Sequence, residues 1–237
     1  MTQEKQVILA MQQLGGCATL SNLNGALDFS TWKTKTPEAT VRRIVQESPA
    51  FFKIRPGFWA LNELRDTVLE RLKLSTTDDE DAKEFSHSYF QGLIVEIGNY
   101  KGLQTFIPGQ DKNRLFIDKP LKALASAPEI YQFSYEKIIN RAKTVDVIWF
   151  NERFFPDSFF EVEHTTDIQN SLIKFTDLQD FFAKFYIVAD EYRHRKFDEI
   201  IDRSAFKDIR QRVKFINYDN IANQHMNAYK AAQSAVI

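Results

Sequence analysis

Phe159-Phe160-Glu161-Val162-Glu163-His164 decides the reading of this chain. The apolar flank predicts a β-strand. Strand alternation then puts Glu161 and Glu163 on one face and Val162 on the other. Two like charges side by side on a buried strand repel each other, and both lose hydration. A bound divalent cation reverses that penalty. Upstream, Asp146 opens a second apolar run, Val147-Ile148-Trp149-Phe150. Two short strands joined through Asn151-Glu152-Arg153 and Pro156-Asp157 would bring Asp146 beside the glutamate pair. Three carboxylates at the edge of a small sheet can hold Mg²⁺.

Outward from this pair, residues 85–237 read as one α/β domain. A helix fits His87 to Asn99, and Leu103-Gln104-Thr105-Phe106-Ile107 is a strand stopped by Pro108-Gly109. Thr166 to Phe182 is helical, with Ile168, Leu172, Phe175 and Leu178 inward. Phe185-Tyr186-Ile187-Val188-Ala189 is an unbroken apolar run, the pattern of a strand buried on both faces. A charged helix from Asp190 to Ile201, a short strand Val213–Ile216 and a terminal helix complete the domain.

The order helix, three strands, helix, strand resembles the core of the PD-(D/E)XK nucleases, the restriction-endonuclease-like fold with a central mixed sheet. Four blocks carry the resemblance. They are Gln91-Gly92-Leu93-Ile94-Val95-Glu96-Ile97-Gly98-Asn99, Asp146 to Asn151, Phe160-Glu161-Val162-Glu163-His164-Thr165-Thr166, and Tyr186 to Arg193. The third matches endonuclease domains with a Glu-Val-Glu-His-Thr-Thr signature. The resemblance implies that Asp146 and Glu161 ligate Mg²⁺ or Mn²⁺, and that Glu163 stands where the usual lysine would be and orients or deprotonates the attacking water. It also implies that a carboxylate of the first helix reaches the metal through water. Glu96 is that candidate, with Gly92 one turn earlier leaving room on the helix face. His164 and Gln169 are candidate partners of these ligands or DNA contacts, and Ser171 and Lys174 lie on the same helix as Gln169.

Residues 1–64 read differently. Val7, Ile8, Met11 and Leu14 mark a helix stopped by Gly15-Gly16, and a second helix fits Leu20 to Leu27. Thr36-Pro37 then opens a third, with Val41, Ile44 and Val45 inward. Phe51–Ile54 and Phe58–Leu61, joined by Arg55-Pro56-Gly57, form a hairpin. Three helices and a hairpin are the winged-helix order. The segment resembles the HARE-type winged helix-turn-helix family through Thr36-Pro37-Glu38-Ala39-Thr40-Val41-Arg42-Arg43 and the hairpin. Between Phe29 and Arg55 there are six basic and two acidic residues. Lys33, Lys35, Arg42, Arg43, Lys53 and Arg55 therefore stand where phosphates would be met. Residues 65–84 change composition and end in Ser75-Thr76-Thr77-Asp78-Asp79-Glu80-Asp81, read as a linker.

Composition narrows the classes further. One cysteine, Cys17, excludes a disulfide framework and a Cys-rich zinc site. His87, His164, His194 and His225 are scattered and show no zinc spacing. Gly109-Gln110-Asp111-Lys112 lacks the second glycine and the Lys-Ser/Thr end of a phosphate-binding loop. No apolar run spans a bilayer and no signal peptide is evident, so a cytoplasmic location is expected. The resemblance implies a Mg²⁺-dependent, sequence-specific restriction-type DNA endonuclease leaving 5′-phosphate ends. Double-stranded DNA is its partner, with a homodimer and a cognate methyltransferase as further partners. Three alternatives stand beside it: a methylation-dependent endonuclease reading a base with Trp32 or Trp59, a DNA-binding regulator with an inactive nuclease domain, and a protein-binding adaptor.

Overall fold

The computed structural model describes residues 1–74, 79–164 and 167–235. The chain divides into two compact units, Met1–Ala82 and Lys83–Ile237. Residues 75–78 of the expected linker, and Thr165 and Thr166 of the signature, lie outside the described residues.

The first unit contains α1 (Gln3–Gln13), β1 (Cys17–Thr19), α2 (Leu20–Gly25), α3 (Pro37–Glu47), β2 (Phe51–Arg55), β3 (Phe58–Leu61) and α4 (Arg65–Arg71). Thr2 and Thr19 cap α1 and α2, accepting from Lys5 N and Asn22 N at 3.2 Å each. Pro37 occupies the first turn of α3, where its missing N–H costs nothing. Gly57, at φ +77°, turns the β2–β3 hairpin. β1 escapes sequence reading because three residues carry no usable period. It pairs antiparallel with β3, so the sheet runs β1-β3-β2. Val7, Met11, Leu23, Val41, Val45 and Phe58 are fully buried between the helices and this sheet. Of the stretch expected as a linker, 65–71 is helical and 79–84 belongs to the next helix.

The second unit follows α5 (Asp79–Tyr100), the helix in which the division falls. Its elements are β4 (Gln104–Phe106), β5 (Leu115–Phe116), β6 (Lys119–Pro120), α6 (Glu136–Ala142), β7 (Val147–Phe150), β8 (Pro156–Glu163), α7 (Ile168–Asp177), β9 (Lys184–Ala189), α8 (His194–Ile201), β10 (Val213–Asn217) and α9 (Tyr218–Ser234). α5 starts two turns earlier than its apolar spacing predicts, because Glu80 and Asp81 favour a helix N-terminus. α7 stops short of Phe182. The carbonyls beyond it, of Gln179, Phe181 and Ala183, are taken by the Arg212 guanidinium.

Five strands make one mixed sheet in the order β10-β9-β8-β7-β4. β4, β7 and β8 are antiparallel neighbours, while β8, β9 and β10 run parallel. One face carries α7 and α8, with Ile168, Leu172, Phe175, Phe197 and Ile200 packed on Ile148, Phe159 and Phe185. The other carries α5 and α9. There Phe90 of α5 stacks on Tyr218 at 3.8 Å, and Trp149 donates to the Ile94 carbonyl at 3.1 Å. Among the described residues no helix is long and apolar enough to cross a membrane.

The approach of α5 to the sheet depends on glycine. A Cβ at Gly98 would meet Thr105 Cγ2 at 2.5 Å and Trp149 Nε1 at 2.6 Å. Gly98→Ala should destabilise the protein by about 1–3 kcal/mol, the range for overpacking. Urea unfolding checks this, and an unchanged midpoint would show that α5 can shift freely.

Candidate active site

Val147 faces Phe160 in the β7–β8 ladder, so Asp146, one residue earlier, lies opposite Glu161. The hairpin that sets this register is closed by Asn151, whose Oδ1 accepts from Arg153 N at 2.9 Å and Phe155 N at 3.2 Å. Asp146 Oδ2 accepts from the Val162 N–H at 2.7 Å, which ties the two strands at the carboxylates. Asp146, Glu161 and Glu163 are 7%, 2% and 9% exposed, so all three are removed from bulk water.

α7 supplies their partners. Ser171 donates to Glu161 Oε2 at 2.9 Å and also contacts Glu163 Oε1. A hydroxyl has a single proton to give. It can therefore serve only one of the two carboxyls at a time. Lys174, in the last turn, reaches Glu161 Oε2 at 2.8 Å and Oε1 at 3.0 Å, and donates to the Thr144 carbonyl at 2.9 Å.

Burial dominates the electrostatics of all three carboxyls. Burial pushes the Asp146 carboxyl up to about 7, against the Val162 N–H and Lys174, which favour the ionised form. Burial, then the neighbouring Asp146, holds Glu161 well above the usual carboxylate range, further than Lys174 and Ser171 pull it down. Glu163 is raised by burial as well. The charge of Arg193 opposes that rise; Arg193 is itself 5% exposed, and its Nη1 has no hydrogen-bond partner among the described residues.

Two further groups join the cluster that no sequence spacing marks. His87 of α5 lies with Nε2 3.6 Å from Asp146 Oδ1. Asp111, 2% exposed, sits in consecutive turns closed by Asp111 N to the Pro108 carbonyl and Arg114 N to the Asp111 carbonyl, 3.0 Å each. One ligand atom from each of His87, Asp111 and Asp146 lies within 4.8 Å of the others. Burial lowers the His87 pKa and so favours the neutral ring, the form that binds a metal. The histidines are scattered along the sequence; the fold gathers this one to the carboxylates.

The remaining expected residues fall in several places. His164 sits at the rim, its Nδ1 2.7 Å from the Tyr218 hydroxyl, which also donates to the Glu163 carbonyl at 3.0 Å. Gln169 is exposed and accepts from Arg203 at 2.5 Å, apart from the carboxylates. Glu96 is about 13 Å along α5 from His87, and its carboxylate is 2.6 Å from His225 Nε2 of α9. The space left by Gly92 goes to the Phe116 ring, which a Cβ would meet at 2.2 Å, rather than to Glu96.

In the first unit Lys33, Lys35, Arg43 and Lys53 are exposed, and Arg43 pairs with Glu47 at 3.3 Å. Arg42 is half-buried. Arg55 is turned onto the Ile54 and Ala82 carbonyls at 2.8 and 3.1 Å. Trp32 is 8% exposed with its Nε1 on Gln6, so its ring is packed rather than open to a base.

Comparison with known proteins bears on the second unit above all. The Type II restriction enzyme NmeDI of Neisseria meningitidis serogroup C is 27% identical over 148 residues, covering 56% of this chain and 42% of that protein. The chain thus spans less than half the length of this relative. No solved structure matches the chain. A family model described as the Type II restriction enzyme NmeDI C-terminal domain matches residues 68–236, which include every residue of the carboxylate cluster. By that match the chain belongs to the Type II restriction enzyme NmeDI C-terminal domain family.

Proposed function

We propose that this protein is a Mg²⁺- or Mn²⁺-dependent, sequence-specific DNA endonuclease of PD-(D/E)XK type, hydrolysing phosphodiester bonds to 5′-phosphate ends. The observation that carries it is the convergence of Asp146, Glu161 and Glu163 at the adjoining ends of β7 and β8, with Lys174 bound to Glu161 at 2.8 Å. The residues fit a divalent cation. Burial penalises each carboxylate in its charged form, and Asp146 Oδ1 faces the cluster while Oδ2 is held by Val162. Asp146 and Glu161 would hold the ion. Bound there, it would supply a water of lowered pKa and offset charge on the phosphate. Glu163 would orient that water or take its proton, a role suited to a carboxyl that burial raises above its ordinary range. Lys174 places an ammonium where strand position 163 offers none, and His164, held by the Tyr218 hydroxyl, would be a DNA contact.

The first unit, read as a HARE-type winged helix, would supply site choice through Lys33, Lys35, Arg42, Arg43 and Lys53. Arg42→Ala with Arg43→Ala should weaken DNA binding and lower the dependence of log affinity on log salt by roughly one unit per lost phosphate contact. Unchanged affinity and slope would remove this unit from DNA recognition. A homodimer places two active sites on the two strands of a duplex, and a cognate methyltransferase would protect the same site. Plasmid cleavage in Mg²⁺ against EDTA, on methylated and unmethylated DNA, tests the reading. No cleavage of either DNA would favour a binding regulator, and cleavage of methylated DNA alone a modification-dependent enzyme.

A further inference from the structure

We propose that His87, Asp111 and Asp146 form a second cation site, sharing Asp146 with the Glu161 position, whose imidazole selects a first-row transition ion over Mg²⁺. One ligand atom from each residue lies within 4.8 Å of the other two. Ligands around a single ion at ~2.1 Å stand roughly 3–4 Å apart, so a small inward adjustment closes the site.

Gln91 gives an independent sign. It is fully buried one helical turn from His87, on the same face of α5. Its Nε2 donates to Asp111 Oδ2 at 2.9 Å and to the Asp146 carbonyl at 3.1 Å. Its Oε1 has no hydrogen-bond partner among the described residues. Turning the amide over would set that oxygen against a carboxylate and a carbonyl, so the orientation is fixed by its neighbours. The amide that holds Asp111 thus carries a buried acceptor left open, and an amide oxygen is a suitable ligand for a cation.

The surrounding bonds orient the ligands as metal sites require. Arg114 Nε holds Asp111 Oδ1 at 3.2 Å, and the Val162 N–H holds Asp146 Oδ2 at 2.7 Å. Each carboxylate oxygen keeps a further lone pair for an ion. The donor set then decides the ion. Mg²⁺ prefers oxygen ligands and retains water, whereas an imidazole favours transition ions. Two neighbouring positions sharing Asp146 would give one oxygen-lined and one nitrogen-containing site.

The inference concerns metal binding at the proposed nuclease centre, and its test needs neither DNA nor cleavage. The full chain is stripped with chelator, loaded with Mn²⁺ and examined by electron spin-echo modulation. Nitrogen-14 modulation from a bound imidazole is expected in the wild type. It should vanish in His87→Ala and persist in His164→Ala and His225→Ala. Mn²⁺ affinity should fall at least about tenfold in His87→Ala and in Asp111→Asn, with circular dichroism unchanged. Should His87→Ala fail to fold, His87→Gln provides the same comparison. Absence of nitrogen modulation in the wild type would overturn the proposal, since Mn²⁺ held only by Asp146 and Glu161 gives none. So would undiminished modulation without His87. Either result leaves Mg²⁺-dependent cleavage to be judged by its own assay.

Discussion

Asp146→Asn and Glu161→Gln should each lower DNA cleavage by at least about 10³-fold, equivalent to roughly 4 kcal/mol on the barrier. Both substitutions keep shape and a hydrogen-bonding oxygen. The introduced asparagine can still accept from the Val162 N–H, and the introduced glutamine can still accept from Lys174, so the loss would be of charge toward the cation rather than of fold. Stability should move the other way. Asp146 has a folded pKa of about 7, above that of an unfolded aspartate. Its contribution to stability is therefore full below about pH 4 and is lost as pH rises through about 7. At pH 8 without metal the ionised, buried carboxylate is a burden that asparagine removes. Asp146→Asn should then melt at or above the wild-type temperature in EDTA while failing to cut DNA in Mg²⁺. Wild-type cleavage rates in either variant would end the nuclease assignment. A large drop in melting temperature would show that the carboxylates are structural.

The parts of this cluster that sequence can reveal are those held by local periodicity. Glu161 and Glu163 share a face because a strand alternates, and Asp146 opens the neighbouring run, so the β7–β8 hairpin places them without further help. The long apolar run of β9 and the spacing of α7 are legible for the same reason. The family blocks point to a restriction enzyme, and the comparisons place the chain in such a family. His87 and Asp111 are not legible. They are separated by a helix, a strand and two turns, and only the packing of α5 across the sheet brings them to Asp146. Glu96 shows the converse. Its place on the first helix suggests a metal role, but the partner it meets, His225, comes from the far end of the chain, which no local pattern can indicate. β1, β5 and β6, at two or three residues each, exist through their pairings and carry no period to read.

Lys174 is the residue whose role the structure changes most, and its loss should be nearly as damaging as that of a carboxylate. The strand offers Glu163 where the resemblance to PD-(D/E)XK nucleases leads one to expect a lysine, and an ammonium arrives instead from the end of α7, on both oxygens of Glu161. It is 15% exposed and also donates to the Thr144 carbonyl, so two groups, that carbonyl and the Glu161 carboxylate, set its position. Lys174→Met should slow single-turnover cleavage by about 10²-fold or more, the scale of a positioned acid–base or charged group. DNA affinity in Ca²⁺ should stay close to wild type, because Lys174 is largely buried and bound to Glu161 and the Thr144 carbonyl. Glu163→Gln should cost about as much if that carboxylate handles the proton of the attacking water. The two residues can be tested against each other. Position 163 shares its strand face with Glu161, so a lysine placed there can reach the same carboxylate. Glu163→Lys in the Lys174→Met background should recover part of the lost rate, whereas Glu163→Lys with Lys174 intact crowds two ammonium groups and should not exceed wild type. If Lys174→Met cleaves at the wild-type rate across Mg²⁺ concentrations, the lysine only neutralises Glu161 in the absence of metal. The proton-transfer role would then fall to Glu163 alone.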